Sequence, residues 1–222
     1  MLLKDLRTQV AEYGRRLLAE GLTMHTGGNL SARDPGSGLI AIKPSSAPYD
    51  TLRPEDVTVI DPEGKVIEGA LRPSSEWPMH TLIYKTYPRA GAVVHCHSPL
   101  ASAMAAAGRP LPLVTHEICI YCTVPARVTA FAVPGTPELA RRAVEGFGTD
   151  NAVALLAGHG TVAMGASLWH AFDAACAAEL TAKVYLNALP LGGAAELPEE
   201  GRRALRAMDP MTRPAPPERT SL

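Results

Sequence analysis

Three histidines of this sequence fall in a pattern that could bind a metal ion. His95 and His97 lie in the apolar stretch GAVVHCHSPL, residues 91–100, and residues two apart in an extended strand point to the same face. His159 stands between two glycines in LLAGHGTV, where glycine permits a tight corner from which the imidazole can project. Together with Glu76, in the predicted first turn of a helix, the three imidazoles make a complete tetrahedral ligand set for zinc.

Each of these residues also has an ordinary structural explanation. A single histidine on a strand can be a buried, hydrogen-bonded residue, and an acidic residue in the first turn of a helix is stabilised by the helix dipole. His80, four residues after Glu76, is interpreted as a packing residue. Taken one by one, these residues leave a metal site and a structural role both open.

Three loops rich in small polar residues could bind a phosphate group. Their hydroxyl, amide and backbone N–H groups suit an anion that is held without lysine or arginine. The strand that precedes Ser45 is expected to turn Lys43 away from this pocket. Each loop by itself could also be a simple turn. The candidate residues are Gly28, Asn29, Ser45, Ser46, Ser74 and Ser75.

Composition and charge disfavour several classes of function. The 222 residues are 46% hydrophobic, and 21 Lys and Arg residues face 22 Asp and Glu residues, which gives no bulk attraction to nucleic acid or to an anionic membrane. No apolar run approaches the roughly 20 residues of a membrane span, and the N-terminal stretch lacks a signal-peptide core. A cytoplasmic protein with no nucleic-acid or membrane partner is therefore expected.

The four cysteines do not match a disulfide or zinc framework. Cys119 and Cys122 form a C-x-x-C pair, but a zinc knuckle needs a second such pair. Their stretch EICIYCTV, residues 117–124, is predicted to be a strand. Both cysteines are therefore expected to be structural.

Apolar periodicity and turn residues predict alternating helices and strands. The predicted helices cover residues 4–20, 74–87, 99–108, 136–147 and 167–189. The predicted strands cover residues 29–33, 38–43, 57–61, 65–69, 91–97, 117–124, 127–133, 152–157 and 161–165. Because most of these strands are joined as hairpins, they predict an α/β fold: a single-domain layered α/β/α sandwich with a central, mostly antiparallel sheet. This domain should span residues 1–205, followed by a mobile, proline-rich tail over residues 206–222.

Five motifs together resemble the class II aldolase family, which includes L-fuculose-1-phosphate aldolase and L-ribulose-5-phosphate 4-epimerase. The motifs are TGGNLSAR, IKPSSAPYDTL, RPSSEWPMHTLIYK, AVVHCHSPLASAMA and LLAGHGTVAMG. They follow the family's order and spacing from about residue 5 to about residue 190. Five motifs in register are more specific than any one of them, and they identify the two strand histidines as metal ligands.

The resemblance implies a metal centre and a phosphate pocket, residue by residue. Glu76, His95, His97 and His159 match the family's zinc ligands, with one Zn²⁺ per subunit, and Glu76 also matches its catalytic proton-transfer residue. The six loop residues match its phosphate pocket, although the family usually has glycine where this chain has Ser46. A homotetramer with sites at subunit boundaries is implied as well.

The implied reaction is the reversible aldol cleavage of a sugar phosphate. A divalent metal can bind the carbonyl and neighbouring hydroxyl oxygens of a ketose 1-phosphate and stabilise the enediolate left when the next carbon–carbon bond breaks. The products would be dihydroxyacetone phosphate and an aldehyde, and the substrate L-fuculose 1-phosphate or a 5-deoxypentulose or methylthiopentulose phosphate.

The aldehyde half of the substrate is the least defined part of this expectation. The fuculose aldolase has one tyrosine aligned with Phe131 and another in its tail, whereas no tyrosine follows Tyr185 here. The missing hydroxyls favour a smaller or apolar aldehyde, with Tyr121 or a water as a possible substitute.

Other activities of the family are kept as alternatives. Family epimerases carry Asp where this chain has Glu76 and an acid where it has Ile118, so both positions favour an aldolase. A sugar-phosphate dehydratase or decarboxylase would release water or CO2 instead of two carbonyl fragments. A non-catalytic, adducin-like interaction protein is disfavoured by the intact set of ligands.

Overall fold

The computed structural model describes residues 1–208 of the chain. The helices within that range are α1 (Lys4–Ala19), α2 (Trp77–Thr86), α3 (Pro99–Ala106), α4 (His116–Tyr121), α5 (Pro137–Phe147), α6 (Leu168–Ala188) and α7 (Glu199–Arg206). The strands are β1 (Asn29–Arg33), β2 (Ile40–Ile42), β3 (Thr58–Ile60), β4 (Val66–Glu68), β5 (Ala92–Cys96), β6 (Val153–Leu156) and β7 (Gly160–Gly165).

The seven strands form one sheet in the order β4-β3-β2-β1-β5-β7-β6. Every neighbouring pair in this order is antiparallel. Helices flank the sheet: α1 packs on β1 and β2, α6 on β5 and β7, and α5 on β6. The predicted single-domain α/β sandwich with a mostly antiparallel central sheet is therefore confirmed.

The centre of the sheet is buried on both faces. All five residues of β5 and all six of β7 are buried, which explains why AVVHC reads as an unbroken apolar run rather than as an alternation. The helix α6 contacts both strands and buries a series of small alanines along its length, among them Ala171, Ala174, Ala175 and Ala178. These small side chains allow the helix axis to approach the sheet closely.

The strand β5 carries His95 between β1 and β7, and His97 lies one residue beyond its end. Its register places His95 opposite Asn29 on one side and opposite Val162 on the other. The turn between β6 and β7 brings His159 to the same end of β5. This turn requires glycine, because Gly158 has φ +61° and a Cβ at Gly160 would lie 2.4 Å from the carbonyl oxygen of Cys96.

Two predicted strands are wrong. The stretch predicted as a strand over 117–124 overlaps α4, and Ile118, Cys119, Ile120 and Tyr121 are all buried in that helix. Because the four are buried together, they show no alternation, and a short apolar run cannot be assigned to strand or helix from periodicity. Both cysteines of the pair are buried and free.

The second wrong strand is the one predicted over 127–133. Within this segment only an isolated parallel bridge from Val128 to Leu155 is formed, and Phe131 and Val133 are exposed. Proline on both sides, at Pro125 and Pro134, removes backbone donors that a longer ladder would need.

The C-terminal part of the chain adds one helix that the sequence did not predict, α7. The predicted tail over 206–222 lies outside the described residues from residue 209 onward. Among the helices of residues 1–208, none has the length and apolar character needed to cross a lipid bilayer.

The helix α3, which begins two residues after His97, is capped by a side chain from α6. The Glu179 carboxylate accepts hydrogen bonds from the backbone N–H of Leu100 at 3.0 Å and of Ala101 at 2.9 Å. These two donors belong to the first helical turn, where no backbone acceptor is available and a negative charge is stabilised.

We expect Glu179→Ala to lower the free energy of unfolding by about 1 kcal/mol, as loss of a helix cap does. Glu179→Gln keeps one acceptor oxygen and should lose less. Urea unfolding of the three proteins measures the difference. An alanine variant as stable as the original protein would show that this carboxylate contributes nothing to α3.

Candidate active site

The three histidines of the sequence pattern come together at one end of the central strands. One nitrogen atom from each of His95, His97 and His159 lies within 4.8 Å of the other two, and the Nε2 atoms of His95 and His97 are 3.1 Å apart. His95 is fully buried, and the other two are partly exposed toward a cavity. Such a cluster could hold a metal ion.

The carboxylate of Glu76 completes the cluster. Its Oε2 lies 3.2 Å from His95 Nε2 and its Oε1 lies 3.6 Å from His159 Nε2. Four ligands at about 2.0–2.1 Å from a tetrahedral ion would be separated by about 3.3 Å from one another. The separation of 3.1 Å between the Nε2 atoms of His95 and His97 and the two distances from Glu76 lie close to this value, so these groups could hold a divalent metal ion.

The hydrogen bonds around the cluster leave ligand atoms free to bind a metal ion. His95 Nδ1–H donates to the carbonyl oxygen of Thr161 at 2.8 Å, which orients the ring and leaves Nε2 as the unprotonated nitrogen. The buried Oε1 of Glu76 has no hydrogen-bond partner in the described part of the chain. A buried carboxylate oxygen without a partner is unfavourable, and a bound cation would supply the missing interaction.

Burial keeps the imidazoles of the cluster neutral, which is the form that binds metals. It lowers the pKa of His95 to about 3 and also lowers the pKa of His97 and of His159. Burial on its own would raise the pKa of Glu76. That pKa nevertheless lies below its ordinary value, because His95 and the hydrogen bond donated by Asn29 favour the ionised carboxylate.

Glu76 lies at the residue before α2 rather than in the first turn of the helix. The helix begins at Trp77 and has Pro78 in its first turn. The backbone N–H of Glu76 donates to Ser74 Oγ at 3.2 Å, so the serine loop fixes the start of the helix. The difference from the prediction is one residue, within the usual uncertainty of a helix boundary.

The cluster and the three polar loops share one cavity of about 350 Å³. All six residues predicted for phosphate binding line it: Gly28, Asn29, Ser45, Ser46, Ser74 and Ser75. Glu76, His97 and His159 line the same cavity, and the fully buried His95 contacts Glu76. A phosphate group and a metal ion could therefore be held within the length of one small molecule.

The prediction that Lys43 turns away from this cavity is wrong. Lys43 lines the cavity although only 1% of its surface is exposed, and its ammonium donates to the carbonyl oxygen of Pro44 at 3.3 Å. The strand β2 ends at Ile42, and residues two apart share a side, so Lys43 and Ser45 face the same space. Burial lowers the pKa of Lys43 to about 8. The cavity thus has a cation in its wall beside the neutral donors.

The sequence analysis also missed the role of His80. This residue is buried, and its Nε2 lies 2.5 Å from Asn29 Oδ1. The spacing of four residues from Glu76 was the available signal, since such residues share one face of a helix. His80 is therefore a buried residue that is also hydrogen-bonded to Asn29 of the cavity wall.

The two aromatic residues considered for the aldehyde half lie in different places. Tyr121 is buried, donates to Asp173 Oδ2 at 2.5 Å and lines a separate cavity of about 520 Å³ that contains none of the predicted site residues. It is therefore not placed to act on a ligand at the histidine cluster. Phe131 lies at the rim of the site, where its ring comes within 3.9 Å of a Cβ built at Gly158.

Comparisons with known proteins agree with this fold and cavity. The family described as "Class II Aldolase and Adducin N-terminal domain" matches residues 8–186. A 5-deoxy-D-ribulose 1-phosphate aldolase of Bacillus thuringiensis serovar kurstaki is 38% identical over 200 residues, which are 90% of this chain and 93% of that enzyme. The chain therefore belongs to the class II aldolase and adducin family.

Two further similarities extend over nearly the whole chain. A 5-methylthioribulose-1-phosphate/5-deoxyribulose-1-phosphate aldolase of Rhodospirillum rubrum is 36% identical over 217 residues, covering 96% of each chain. A solved structure of an L-fuculose 1-phosphate aldolase superimposes with a TM-score of 0.87 at 34% identity, covering 91% of this chain and 95% of that one.

The backbone of Ser46 provides a test of the polar loop. Its φ is +56°, a left-handed conformation that costs a non-glycine residue about 1–2 kcal/mol. Since glycine adopts it without that cost, we expect Ser46→Gly to raise the free energy of unfolding by about 1 kcal/mol.

The neighbouring Ser45 supplies the matched control, because it is not among the residues with positive φ. Ser45→Gly should lower stability, since glycine loses more backbone entropy on folding. Urea unfolding of both variants measures the change in the free energy of unfolding that each substitution causes. Equal destabilisation by the two substitutions would mean that the conformation of Ser46 is not strained.

Proposed function

We propose that the protein is a zinc-dependent aldolase that cleaves a 5-deoxypentulose 1-phosphate, or its 5-methylthio analogue, to dihydroxyacetone phosphate and an aldehyde. The observation that carries the proposal is the shared cavity, which is lined by a carboxylate, two imidazoles and three loops of anion-binding groups. The names of the two enzymes that are 38% and 36% identical to this chain support the choice of substrate.

The phosphate of the substrate would bind among the loops. Lys43 supplies a positive charge in the cavity wall, and the serine hydroxyls and backbone N–H groups of the three loops supply directed hydrogen bonds. A charged partner roughly doubles the strength of a hydrogen bond. The buried ammonium of Lys43 has no ion pair with a carboxylate in the described residues, so a phosphate dianion would be its counter-ion.

His95, His97 and His159, with Glu76, would hold the zinc ion in the same cavity. When bound, such an ion supplies Lewis-acid stabilisation of the negative charge that develops on the carbonyl oxygen of the substrate. The donor spacing and the partnerless carboxylate oxygen of Glu76 support this assignment.

Glu76 would move the protons of the reaction, a role for which its carboxylate would leave the metal when the substrate binds. The C4 hydroxyl loses its proton, the C3–C4 bond breaks with its electron pair remaining on C3, and C3 then takes up a proton. A carboxylate that accepts the first proton and returns one to C3 leaves the overall proton count unchanged. The pKa of Glu76 lies below its ordinary value, so at neutral pH the residue begins as the base that this sequence requires.

The rim of the cavity favours a substrate without a terminal hydroxyl. The segment from Phe131 to Pro134 borders the site, and Pro134 lines the cavity itself. Phe131 and Val133 are exposed apolar side chains. Burying a hydroxyl against such groups without a hydrogen bond is unfavourable, whereas a methyl or methylthio group is not penalised.

An epimerase is the less favoured alternative. Ile118 occupies the position at which family epimerases carry an acid, and it is completely buried in the core. We keep two predictions: a homotetramer with sites at subunit boundaries, and a cytoplasmic location. A dehydratase, decarboxylase or adducin-like role stays an alternative. The reaction products distinguish the activities, and the assembly state tests the tetramer.

We expect the zinc-loaded protein to convert 5-deoxyribulose 1-phosphate to dihydroxyacetone phosphate and acetaldehyde, with little cleavage of unphosphorylated 5-deoxyribulose. Glu76→Gln should lower turnover by a factor of about 10²–10⁴, the range for a lost acid–base residue. It should retain more metal than His95→Ala, because three imidazoles remain.

Enzyme-coupled detection of dihydroxyacetone phosphate and metal analysis of each variant provide the measurements. Glu145→Gln, which removes an exposed carboxylate on α5, serves as the control with unchanged turnover. Release of water or CO2 instead of two carbonyl fragments would show that the protein is a dehydratase or a decarboxylase rather than an aldolase. Normal turnover by Glu76→Gln would mean that another residue transfers the proton.

A further inference from the structure

A buried chain of hydrogen bonds leads from the interior of α2 to the carboxylate of Glu76. Tyr84 and Ser31 are joined through their hydroxyl oxygens at 2.7 Å, and Ser31 Oγ lies 2.7 Å from His80 Nδ1. His80 Nε2 lies 2.5 Å from Asn29 Oδ1. Asn29 Nδ2 then donates to Glu76 Oε2 at 2.7 Å. All five side chains are buried.

The chemistry of these groups allows one arrangement of protons when Glu76 is ionised. An ionised carboxylate only accepts hydrogen bonds, so the amide nitrogen of Asn29 must face Glu76 and the amide oxygen must face His80. His80 must then carry its proton on Nε2, and its Nδ1 accepts from the Ser31 hydroxyl. Burial lowers the pKa of His80 to about 4, so the ring is neutral and carries a single N–H proton, on one of its two nitrogens.

Without the donor at His80, the amide of Asn29 would lose the interaction that fixes its orientation. The oxygen Oδ1 of Asn29 would be left as a buried acceptor without its donor, and the amide would rotate away from its present position to find another one. The hydrogen bond that Asn29 donates would disappear, and the carboxylate of Glu76 would be free to change its orientation.

We propose that His80 is a positioning residue for the reaction: through Asn29 it holds Glu76 in the orientation in which that carboxylate transfers the substrate's proton. The inference rests on the proposed function, since it assigns a support to the proton-transfer residue. It also explains why Asn29 is buried although it lines the cavity. One N–H of its amide is committed to Glu76, and the other is available to a ligand.

Two substitutions separate positioning from packing. His80→Gln offers an amide N–H that can reach the place of Nε2, whereas His80→Leu fills similar space without a donor. We expect His80→Leu to lower kcat by about 10–100-fold, the usual effect of losing a partner that orients a metal-site residue. His80→Gln should recover most of that loss, although both variants lose stability by similar amounts.

A second buried histidine provides the control for stability alone. His170 on α6 is buried, and its Nδ1 contacts Ser167 Oγ at 2.8 Å, and it does not line the cavity. His170→Leu should lower the unfolding temperature while leaving kcat unchanged. Zinc content is measured for every variant, and His80→Leu should still bind one ion per chain.

Crystal structures of the two His80 variants supply a readout that does not depend on activity. The hydrogen bond from Asn29 to Glu76 should persist in His80→Gln and be absent in His80→Leu. Equal kcat in the leucine and glutamine variants, or an intact Asn29–Glu76 hydrogen bond in the leucine variant, would overturn the inference. A zinc-loaded original protein that cleaves no ketose phosphate would instead overturn the proposed function, and the crystallographic comparison would still decide whether His80 orients Asn29.

Discussion

The antiparallel pairing of β5 with β1 and β7 is the constraint on which the site depends. It places Asn29 and Val162 on either side of His95 and brings the β6–β7 turn, with His159, to the end of the same strand. Because neighbouring strands are about 4.8 Å apart, side chains of adjacent strands at this end can converge without any long loop. The serine loop before α2 then adds Glu76 from above one face of the sheet.

The site combines groups that a core does not normally contain, and their unfavourable interactions have specific compensations. Glu76 is a buried carboxylate that receives a hydrogen bond from Asn29, and Lys43 is a buried ammonium held by two backbone carbonyl oxygens and the ring of Tyr49. Each compensation is partial, since Oε1 of Glu76 has no hydrogen-bond partner in residues 1–208. Incomplete satisfaction of this kind is expected where a protein binds charged ligands.

The sequence predicted the parts of the site that follow from local rules. Alternation along β5 correctly pairs His95 with His97, and the glycines around His159 correctly predict a tight corner. For Lys43 the local rule was misapplied, since residues two apart share a side and Lys43 therefore faces the cavity with Ser45. The sequence-based predictions failed for residues whose contacts depend on tertiary structure. His80 contacts Asn29 across 51 residues of sequence, so its place in the network requires the fold.

The central claim is that the clustered His95, His97 and His159, with the carboxylate of Glu76 beside them, would together hold one metal ion. Anomalous X-ray scattering at the zinc edge, from crystals of the protein supplied with zinc, tests it most directly. The account predicts one ion per chain, about 2.0–2.1 Å from a nitrogen of each of His95, His97 and His159. An ion bound elsewhere in the chain, or no bound ion while the three histidines keep their present positions, would contradict it.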